Sequence, residues 1–359
     1  MRKYNKKSLS GFIPIYFSMS NYNPDTYIQS FSVLGEHLRN PDEELKHLIQ
    51  TEKNVNAWFT PESIESAINA IAENLNSYDL TKWLQQYSVN ANIEPKNIGL
   101  ILAGNIPLVG FHDILSVLLS GNKALIKASS QDSRLIKYLL NKLVSIDNTF
   151  ADRFTFVEKL QNFDAVIATG SDNTSRYFEY YFGKVPHIIR KNRNSISVLT
   201  GEETTTQLHE LGHDIFDYFG LGCRNVSKLL VPHGYDFTPF FEAIEPYNDI
   251  ANHNKYHNNY DYNKSIYLVN RDKHLDNGFL LLKEDERLAS PLAVLFYEYY
   301  DDIISAERKI NSQADKIQCV VSTGPLQVNS QVVSFGQSQQ PGLADYADGV
   351  DTMKFLAGL

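Results

Sequence analysis

The feature of this sequence that most limits its fold is an alternation of short apolar runs with helical patterns, which begins near residue 98. Apolar runs occupy 98–103 (IGLILA), 124–127 (ALIK) and 163–170 (FDAVIATG), with helical patterns near 108–120 and from about 131. Short apolar runs bounded by turn residues and separated by helices are typical of βαβ units. The pattern therefore predicts a mainly parallel sheet covered by helices, an α/β fold.

A second α/β region follows the first. Its predicted strands are 195–200, 227–232, 265–270, 279–282, 292–297 and 317–321, with a helix around 203–219. The first 95 residues are polar and mostly helical in pattern, and Thr60 is the expected N-cap of a helix that begins at Pro61. The chain of 359 residues is long enough for two domains. We predict an N-terminal helical region (1–95) packed on a first α/β domain (96–194), followed by a second (195–359).

Two segments lack a clear period. The Asn- and Tyr-rich stretch 248–264 is expected to be an exposed loop, and the glycine-containing stretch 334–349 is expected to be irregular.

Charge and composition exclude several classes of function. With 42 acidic and 33 basic residues the net charge is −9, which gives no general attraction to nucleic acid or to an anionic membrane. The 43% hydrophobic content is that of a globular protein without a membrane span. Two cysteines cannot form a disulfide framework, and residues 1–17 lack the apolar core and cleavage site of a secretory signal. The expected location is the cytoplasm.

Cys223 is the strongest candidate nucleophile in the chain. It lies between two glycines and an apolar strand in FGLGCRNVSKLLVP (219–232), at a junction that can expose a thiol. Arg224, Lys228 or a helix N-terminus could lower its pKa. An isolated cysteine is more often buried in a core, and Cys319, within IQCVV, fits that interpretation.

Polar residues follow several predicted strands, at the sheet edge where α/β proteins bind their ligands. Asn105 follows the first strand and its amide could donate to an oxyanion, although an asparagine before a proline is also common in turns. Lys127 ends the next strand and could reach a ribose or phosphate. Gly170 and Ser171 precede a helix whose free N–H groups could bind phosphate. Neither GxGxxG nor GxxxxGK[ST] occurs to support a nucleotide site.

A competing pattern is HELGH (209–213), which matches the HExxH motif of zinc peptidases. In that motif His209 and His213 would bind zinc, and Glu210 would polarise water. Phe216 stands where the longer metzincin motif requires glycine, no third histidine follows at the required spacing, and no Met-turn is evident. A zinc hydrolase remains an alternative function at this point.

Taken together, the motifs give a more specific indication. In their shared order they resemble the acyl-CoA reductase family typified by the long-chain acyl-CoA reductase of bacterial luminescence, within the aldehyde dehydrogenase superfamily. The resemblance covers about residues 96–359. The segments that carry it are LAGNIPLVGFHDILSVLLSGNKALIKASS (102–130), FDAVIATGSDNTSRYFEYYFG (163–183), FGLGCRNVSKLLVP (219–232) and FGQSQQPGLADYADG (335–349).

The resemblance implies a fold, a cofactor and a set of roles. It implies an aldehyde dehydrogenase-like pair of α/β domains with the active site between them, in which residues 96–194 bind a nicotinamide nucleotide, NADPH or alternatively NADH. Cys223 would form an acyl-enzyme, with the Asn105 amide holding the oxyanion. Lys127 would bind the adenosine ribose of the nucleotide, and Ser129 would be a further cofactor-binding residue. Gly170 and Ser171 would pack against its pyrophosphate. The HELGH match then falls on the helix before the nucleophile, and no metal is expected.

One departure from the superfamily pattern concerns water activation. Oxidative aldehyde dehydrogenases usually carry a glutamate in an E-L-G-G segment, whereas the corresponding stretch here, VPHIIRKNRNS (185–195), contains no acid. Its absence favours reduction of a thioester over oxidation of an aldehyde. His187 is the best candidate base for Cys223 within that stretch, although a structural histidine on a strand is equally compatible with the sequence.

The family also implies substrates and partners. The expected substrate is an acyl-CoA or an acyl-protein thioester, with a long acyl chain as the family inference. A partner protein that transfers acyl groups and self-association into a homo-oligomer are both compatible with the family. A relative that binds acyl groups or nucleotides without catalysis is a further alternative.

Overall fold

The computed structural model describes residues 22–89 and 94–359, so the expectation about residues 1–17 lies outside the described residues. The part of the chain that the structure describes begins with four α-helices, each preceded by an N-cap side chain that accepts a backbone N–H. Thr60 caps the third helix as predicted, and its hydroxyl accepts from Ser63 N at 3.2 Å. The four helices are α1 (Pro24–Arg39), α2 (Glu43–Thr51), α3 (Pro61–Asn74) and α4 (Ser77–Leu84).

The first sheet has five parallel strands in the order β3-β2-β1-β4-β5. The chain adds β2 and then β3 on one side of β1, and afterwards adds β4 and β5 on the other side, so the direction in which strands are added reverses between β1 and β4. Ligands of open α/β sheets bind at such a switch point, outside the carboxyl ends of the strands. The strands are β1 (Asn97–Ile101), β2 (Lys123–Lys127), β3 (Phe154–Phe156), β4 (Ala165–Thr169) and β5 (His187–Arg190), with helices α5 (Phe111–Leu119), α6 (Ser133–Ile146) and α7 (Asp172–Phe182) between them.

Among the described residues the second sheet has seven strands in the order β12-β11-β6-β7-β10-β9-β8, in which only the β8–β9 pair is antiparallel. The predicted α/β fold with mainly parallel sheets is confirmed. The strands are β6 (Asn194–Val198), β7 (Val226–Pro232), β8 (Leu275–Asp276), β9 (Leu281–Glu284), β10 (Val294–Tyr300), β11 (Ile317–Val321) and β12 (Gln331–Val333). The helices are α8 (Thr205–Phe216), α9 (Thr238–Ile244), α10 (Asn254–Asn270), α11 (Ile303–Ser312) and α12 (Thr352–Ala357).

Helix α10 corrects two sequence expectations, since residues 248–264 are not a loop and residues 265–270 are not a strand. Residues 245–252 form a 3₁₀ segment, and the helix follows it directly. Its buried positions are Tyr256, Tyr260, Asn263 and Tyr267, a helical spacing made of aromatic and amide side chains instead of aliphatic ones. Asn263 is satisfied because its amide donates to Leu292 O at 2.9 Å. The polar composition therefore concealed a helical stripe.

The N-terminal helices and the C-terminus share one core with the first sheet. Buried residues of α1, α3 and α4 pack in the same cluster as residues of β1 and β2. The chain returns to this cluster after β12, where Leu343, Tyr346 and Met353 join it. Trp83 Nε1 donates to Tyr346 OH at 2.8 Å, and this hydrogen bond holds the returning segment against the N-terminal helices. The last helix, although it follows the second sheet in sequence, thus packs with the first.

Within the described ranges, the helices are all too short or too polar to cross a membrane.

Candidate active site

A cleft between the two sheets contains the candidate site. Its cavity has a volume of about 1290 Å³ and opens at the carboxyl ends of β1, β4 and β5. The first sheet contributes Asn105, Gly170 and Ser171 to its lining, and the second contributes Cys223 and Arg224. The cleft includes the switch point of the first sheet, where a ligand is expected.

The turn before Cys223 has an unusual backbone. Tyr218, Phe219 and Gly220 all have positive φ angles, of 53°, 59° and 76°. Two consecutive non-glycine residues in the left-handed region are strained, and such strain persists only where surrounding structure holds it. Phe219 is held by ring contacts with Trp58 and His253. The turn ends α8 abruptly and leads the chain into the cleft.

Asn225 holds this turn in place. Its side-chain carbonyl accepts the N–H of Gly222 at 2.8 Å. Its amide donates to Asp217 O at 2.8 Å and to Asp214 O at 3.2 Å, at the carboxyl end of α8. One buried side chain therefore connects the end of the helix to the residue before Cys223.

Cys223 itself is open to the cleft, whereas Cys319 is buried in β11 as predicted. Although the cysteine is exposed to the cavity, its sulfur lies deep among protein atoms, and this desolvation raises the pKa of the Cys223 thiol to about 11. The Arg224 and Arg190 charges lower that pKa, and the Asp348 charge raises it. The resting group is a thiol at neutral pH, so nucleophilic attack requires a proton acceptor.

Asn105 lies against the cysteine turn. Its amide donates to Leu221 O at 2.8 Å, two residues before Cys223. A primary amide has two N–H donors, so the second remains for a ligand in the cleft. The structure therefore brings together the predicted nucleophile and the predicted oxyanion donor.

Gly170 and Ser171 form the start of α7 at the cleft. The Ser171 hydroxyl accepts Thr174 N at 3.3 Å as N-cap. A Cβ at Gly170 would come within 2.9 Å of the Phe178 ring, so glycine allows the helix to pack this close to the strand end. The first N–H groups of an 11-residue helix are thus presented at the switch point, an arrangement that suits a phosphate.

Lys127 ends β2 and Ser129 lies two residues later, at the same edge of the sheet, but neither residue lines the cavity. Lys127 is exposed at the strand end. A Cβ at Gly104, which does line the cavity, would lie 2.6 Å from Ser129 Cβ. The two predicted cofactor residues therefore flank the cleft on the side of β2.

His187 is not at this site, which corrects the expectation that it deprotonates Cys223. It is the first residue of β5, and Arg190 at the other end of that strand is the one that lines the cleft. Three residues of extended chain separate the two by about 10 Å. His187 is exposed, and its Nδ1 contacts Val185 O at 2.8 Å. The direction of β5 puts its histidine at the edge of the sheet opposite to the cleft.

Sequence reasoning missed a buried ion pair in the wall of the cleft. Arg190 donates to the two carboxylate oxygens of Asp113 at 2.5 and 2.8 Å, and to Thr352 Oγ1 at 2.9 Å. These residues come from β5, α5 and α12, so no local pattern connects them. The sequence holds two signals that could have indicated this ion pair: Asp113 is a charged residue within the apolar segment 111–119, and Arg190 is a charged residue at the end of an apolar strand.

The HELGH residues have structural partners. His209 Nδ1 contacts Ala243 O at 3.1 Å, and His213 Nδ1 contacts Asp217 Oδ1 at 3.2 Å. Across residues 22–89 and 94–359, no group of three or more His, Cys, Asp or Glu side chains is arranged to hold a metal ion. The α8 histidines therefore act here as packing and hydrogen-bonding residues.

Comparison with known proteins places the chain in a family. Residues 26–238, more than half of the chain, match the family model of acyl-CoA reductase (LuxC). The chain belongs to the acyl-CoA reductase (LuxC) family. A curated relative, the long-chain acyl-protein thioester reductase of Aliivibrio fischeri, is 26% identical over 169 residues, in a match that covers 42% of this chain and 35% of that protein. The match thus spans about a third of the length of the curated relative.

Solved structures show the same fold at low identity. Aldehyde dehydrogenase 21 of Physcomitrella patens is 12% identical with a TM-score of 0.67, covering 95% of this chain and 85% of its own. A putative aldehyde dehydrogenase of Burkholderia cenocepacia is 14% identical with a TM-score of 0.65, covering 90% and 80%. An aldehyde dehydrogenase of Mycobacterium tuberculosis complexed with NAD⁺ is 12% identical with a TM-score of 0.63, covering 89% and 79%. This LuxC-family chain therefore has the predicted aldehyde dehydrogenase-like fold.

Proposed function

We propose that this protein reduces an acyl thioester to an aldehyde with a nicotinamide cofactor, through an acyl-enzyme on Cys223. The observation that carries the proposal is the cleft in which an open thiol, the Asn105 amide and the N-terminus of α7 face one cavity. The substrate we propose is an acyl-CoA, with a long acyl chain as the first choice. A protein-bound acyl thioester of the same chemistry is the alternative donor.

The acylation step follows from the residues around the thiol. The Cys223 sulfur attacks the thioester carbonyl carbon, and the negative charge that develops on the carbonyl oxygen is held by the free N–H of Asn105 and the backbone N–H of Cys223. The carbon–sulfur bond to the departing thiol then breaks. Asn105 is already fixed by Leu221 O, so its second N–H is oriented before the substrate arrives.

The first sheet offers residues that fit a nicotinamide nucleotide. The N–H groups at the start of α7, with Gly170 and Ser171, would hold the pyrophosphate. Lys127 and Ser129, at the end of β2, would lie near the adenosine ribose, and the lysine charge favours the 2′-phosphate of NADPH over NADH. When bound, the cofactor supplies the hydride that reduces the acyl group. A structural relative with the same fold is complexed with NAD⁺, which supports the choice of a nicotinamide nucleotide as the cofactor.

The function is tested by NADPH oxidation with acyl-CoA substrates of several chain lengths, and by mass spectrometry of the protein after incubation with acyl-CoA alone. We expect turnover and a single acyl adduct on Cys223, both lost in Cys223→Ala. The matched control is Cys319→Ala, which removes the buried thiol of β11 and should retain the adduct. Nucleotide binding without any adduct would instead indicate a non-catalytic relative, and turnover in Cys223→Ala would refute the mechanism.

A further inference from the structure

The acyl-enzyme mechanism requires a proton acceptor near Cys223, and the obvious candidates in the cleft have other partners. His187 lies at the wrong end of β5. His112 lines the cleft and its Nε2 contacts Leu343 O at 2.9 Å, but the ring lies deep among protein atoms, and this desolvation lowers the pKa of the His112 imidazole and weakens it as a proton acceptor. Both carboxylate oxygens of Asp113 accept from Arg190. An acceptor must therefore come from another element.

Asp348 lines the same cavity and comes from the segment that returns to the first sheet after β12. Its side chain is only 12% exposed. One carboxylate oxygen, Oδ2, accepts the N–H of Lys191 at 3.2 Å, and the other, Oδ1, lies 3.6 Å from Arg193 Nε. The carboxyl group is thus anchored to the connection between β5 and β6, directly beside the cleft wall that contains Arg190.

The backbone at Asp348 is strained. Its φ is +59°, and that of the next residue, Gly349, is +64°. A non-glycine residue in the left-handed region is uncommon, and such strain often occurs at functional sites. The irregular conformation places Asp348 in the lining of the cavity that Cys223 also lines.

The Asp348 carboxyl is one of the charged groups that act on the Cys223 thiol. The pKa of Cys223 responds to four neighbouring groups, of which Arg224 and Arg190 lower it, and Asp348 and Cys319 raise it. Burial raises the pKa of the Asp348 carboxyl, against the opposing effect of Arg193. Burial thus shifts the pKa of the Asp348 carboxyl toward that of the thiol across the cavity, which lowers the cost of a proton transfer between them.

We propose that Asp348 is the acid–base residue of this site, and this inference rests on the proposed function. As the Cys223 sulfur bonds to the acyl carbon, its proton passes to the Asp348 carboxylate, directly or through one water molecule. When the carbon–sulfur bond to the donor breaks, Asp348 returns that proton to the departing thiolate, which leaves as a neutral thiol. The carboxylate is regenerated, and no oxidant or reductant is consumed in this half of the cycle.

The test compares Asp348→Asn with the control Asp345→Asn, a carboxamide substitution three residues away in the same cavity wall. Asparagine tolerates a positive φ and can still accept the Lys191 N–H, so the backbone should be kept. Two rates are measured against pH for each variant: acylation of Cys223 by acyl-CoA, and alkylation of Cys223 by iodoacetamide. The second rate reports thiolate formation without needing a catalytic acid or base.

The expected result is that the two rates change in opposite directions. In Asp348→Asn, alkylation near pH 8 should rise a few-fold because a negative charge beside the thiol is removed. Acylation should fall by roughly 10²-fold or more, the usual contribution of a general acid–base residue. A residue with a merely structural role would slow both reactions. In Asp345→Asn both rates should stay within about two-fold of the parent protein, since that carboxyl is assigned no proton transfer.

Acylation that is unchanged in Asp348→Asn, while the parent protein is active, overturns the role of Asp348 and leaves the proposed function standing. Parallel losses in both reactions overturn it too. If the parent protein never forms an acyl adduct on Cys223 although iodoacetamide alkylates it, the proposed function fails first, and the assignment of Asp348 fails with it.

Discussion

Asp132 should make the stability of this protein fall as pH rises, and Asp132→Asn should remove that dependence. The residue is 2% exposed and immediately precedes α6. Its Oδ2 accepts Leu108 N at 2.8 Å, whereas its Oδ1 has no hydrogen-bond partner among the described residues. Burial raises the pKa of Asp132 from 3.8 to about 8, and the nearby Glu52 charge adds to the effect.

The direction and the size of this change in stability follow from the linkage between proton binding and folding. Because the pKa is higher in the folded state, the folded protein binds more protons than the unfolded chain between about pH 4 and pH 8, so stability decreases as pH rises through that range. At roughly 1.36 kcal/mol per pKa unit, the full effect above pH 8 approaches about 6 kcal/mol. The part that develops between pH 5 and pH 8 is about 3 kcal/mol, allowing for one pKa unit in the folded value.

The assay is urea unfolding of the parent protein and of Asp132→Asn at pH 5 and at pH 8. The asparagine can still accept Leu108 N, but its new N–H groups lack partners, which costs roughly 1–3 kcal/mol at either pH. That constant cost cancels when the change between the two pH values is compared. We expect the variant to gain about 3 kcal/mol relative to the parent on going from pH 5 to pH 8. Asp25→Asn, at an exposed position in α1, is the control. Equal pH dependence of Asp132→Asn and the parent would refute a carboxyl that is protonated in the folded protein.

Two further substitutions test the geometry of the cysteine turn. Asn225→Ala removes the side-chain partner of Gly222 N and of the carbonyls at the end of α8, so the free energy of unfolding in urea should fall by about 2–4 kcal/mol, and alkylation of Cys223 should be slower. An unchanged free energy of unfolding would mean that the turn does not depend on this side chain. Asn105→Ala removes the proposed oxyanion donor and should lower the acylation rate by about 10²–10³-fold while leaving iodoacetamide alkylation unaffected. A similar loss in both reactions would show that Asn105 supports the turn through Leu221 instead of stabilising charge.

The sequence predicted those parts of the structure that local periodicity encodes. The apolar runs located β1, β2, β4, β6 and β7, and strand ends are where a parallel sheet gathers its ligand groups. Asn105, Ser171 and Cys223 were found because each follows or precedes such a run, and the fold then brings them to one cleft.

The parts that could not be predicted depend on contacts between distant elements. Asp113 and Arg190 are 77 residues apart, and Thr352 is a further 162 residues from Arg190. Nothing in a single sequence indicates that these polar groups pair. Helix α10 was missed for a different reason, because its buried face is made of tyrosine and asparagine and so does not appear as an apolar stripe.

In the mechanism that we propose, Asp348 takes the place of the carboxyl group absent from 185–195, and this has a consequence for the fate of the acyl-enzyme. Arg190, which ends β5, is ion-paired and cannot accept a proton, and His187 lies at the other end of that strand, so this stretch offers no base for water in the cleft. A carboxylate at position 348, however, can activate water as well as receive the thiol proton. When no reduced cofactor is present, we therefore expect the acyl-enzyme to hydrolyse slowly to the carboxylic acid, and Asp348→Asn to suppress this hydrolysis. The acid released from acyl-CoA without NADPH is measured for both proteins, with Asp345→Asn as control. Hydrolysis that proceeds equally in Asp348→Asn would mean that the carboxyl at 348 does not reach the acyl carbon and that water is activated elsewhere in the cleft.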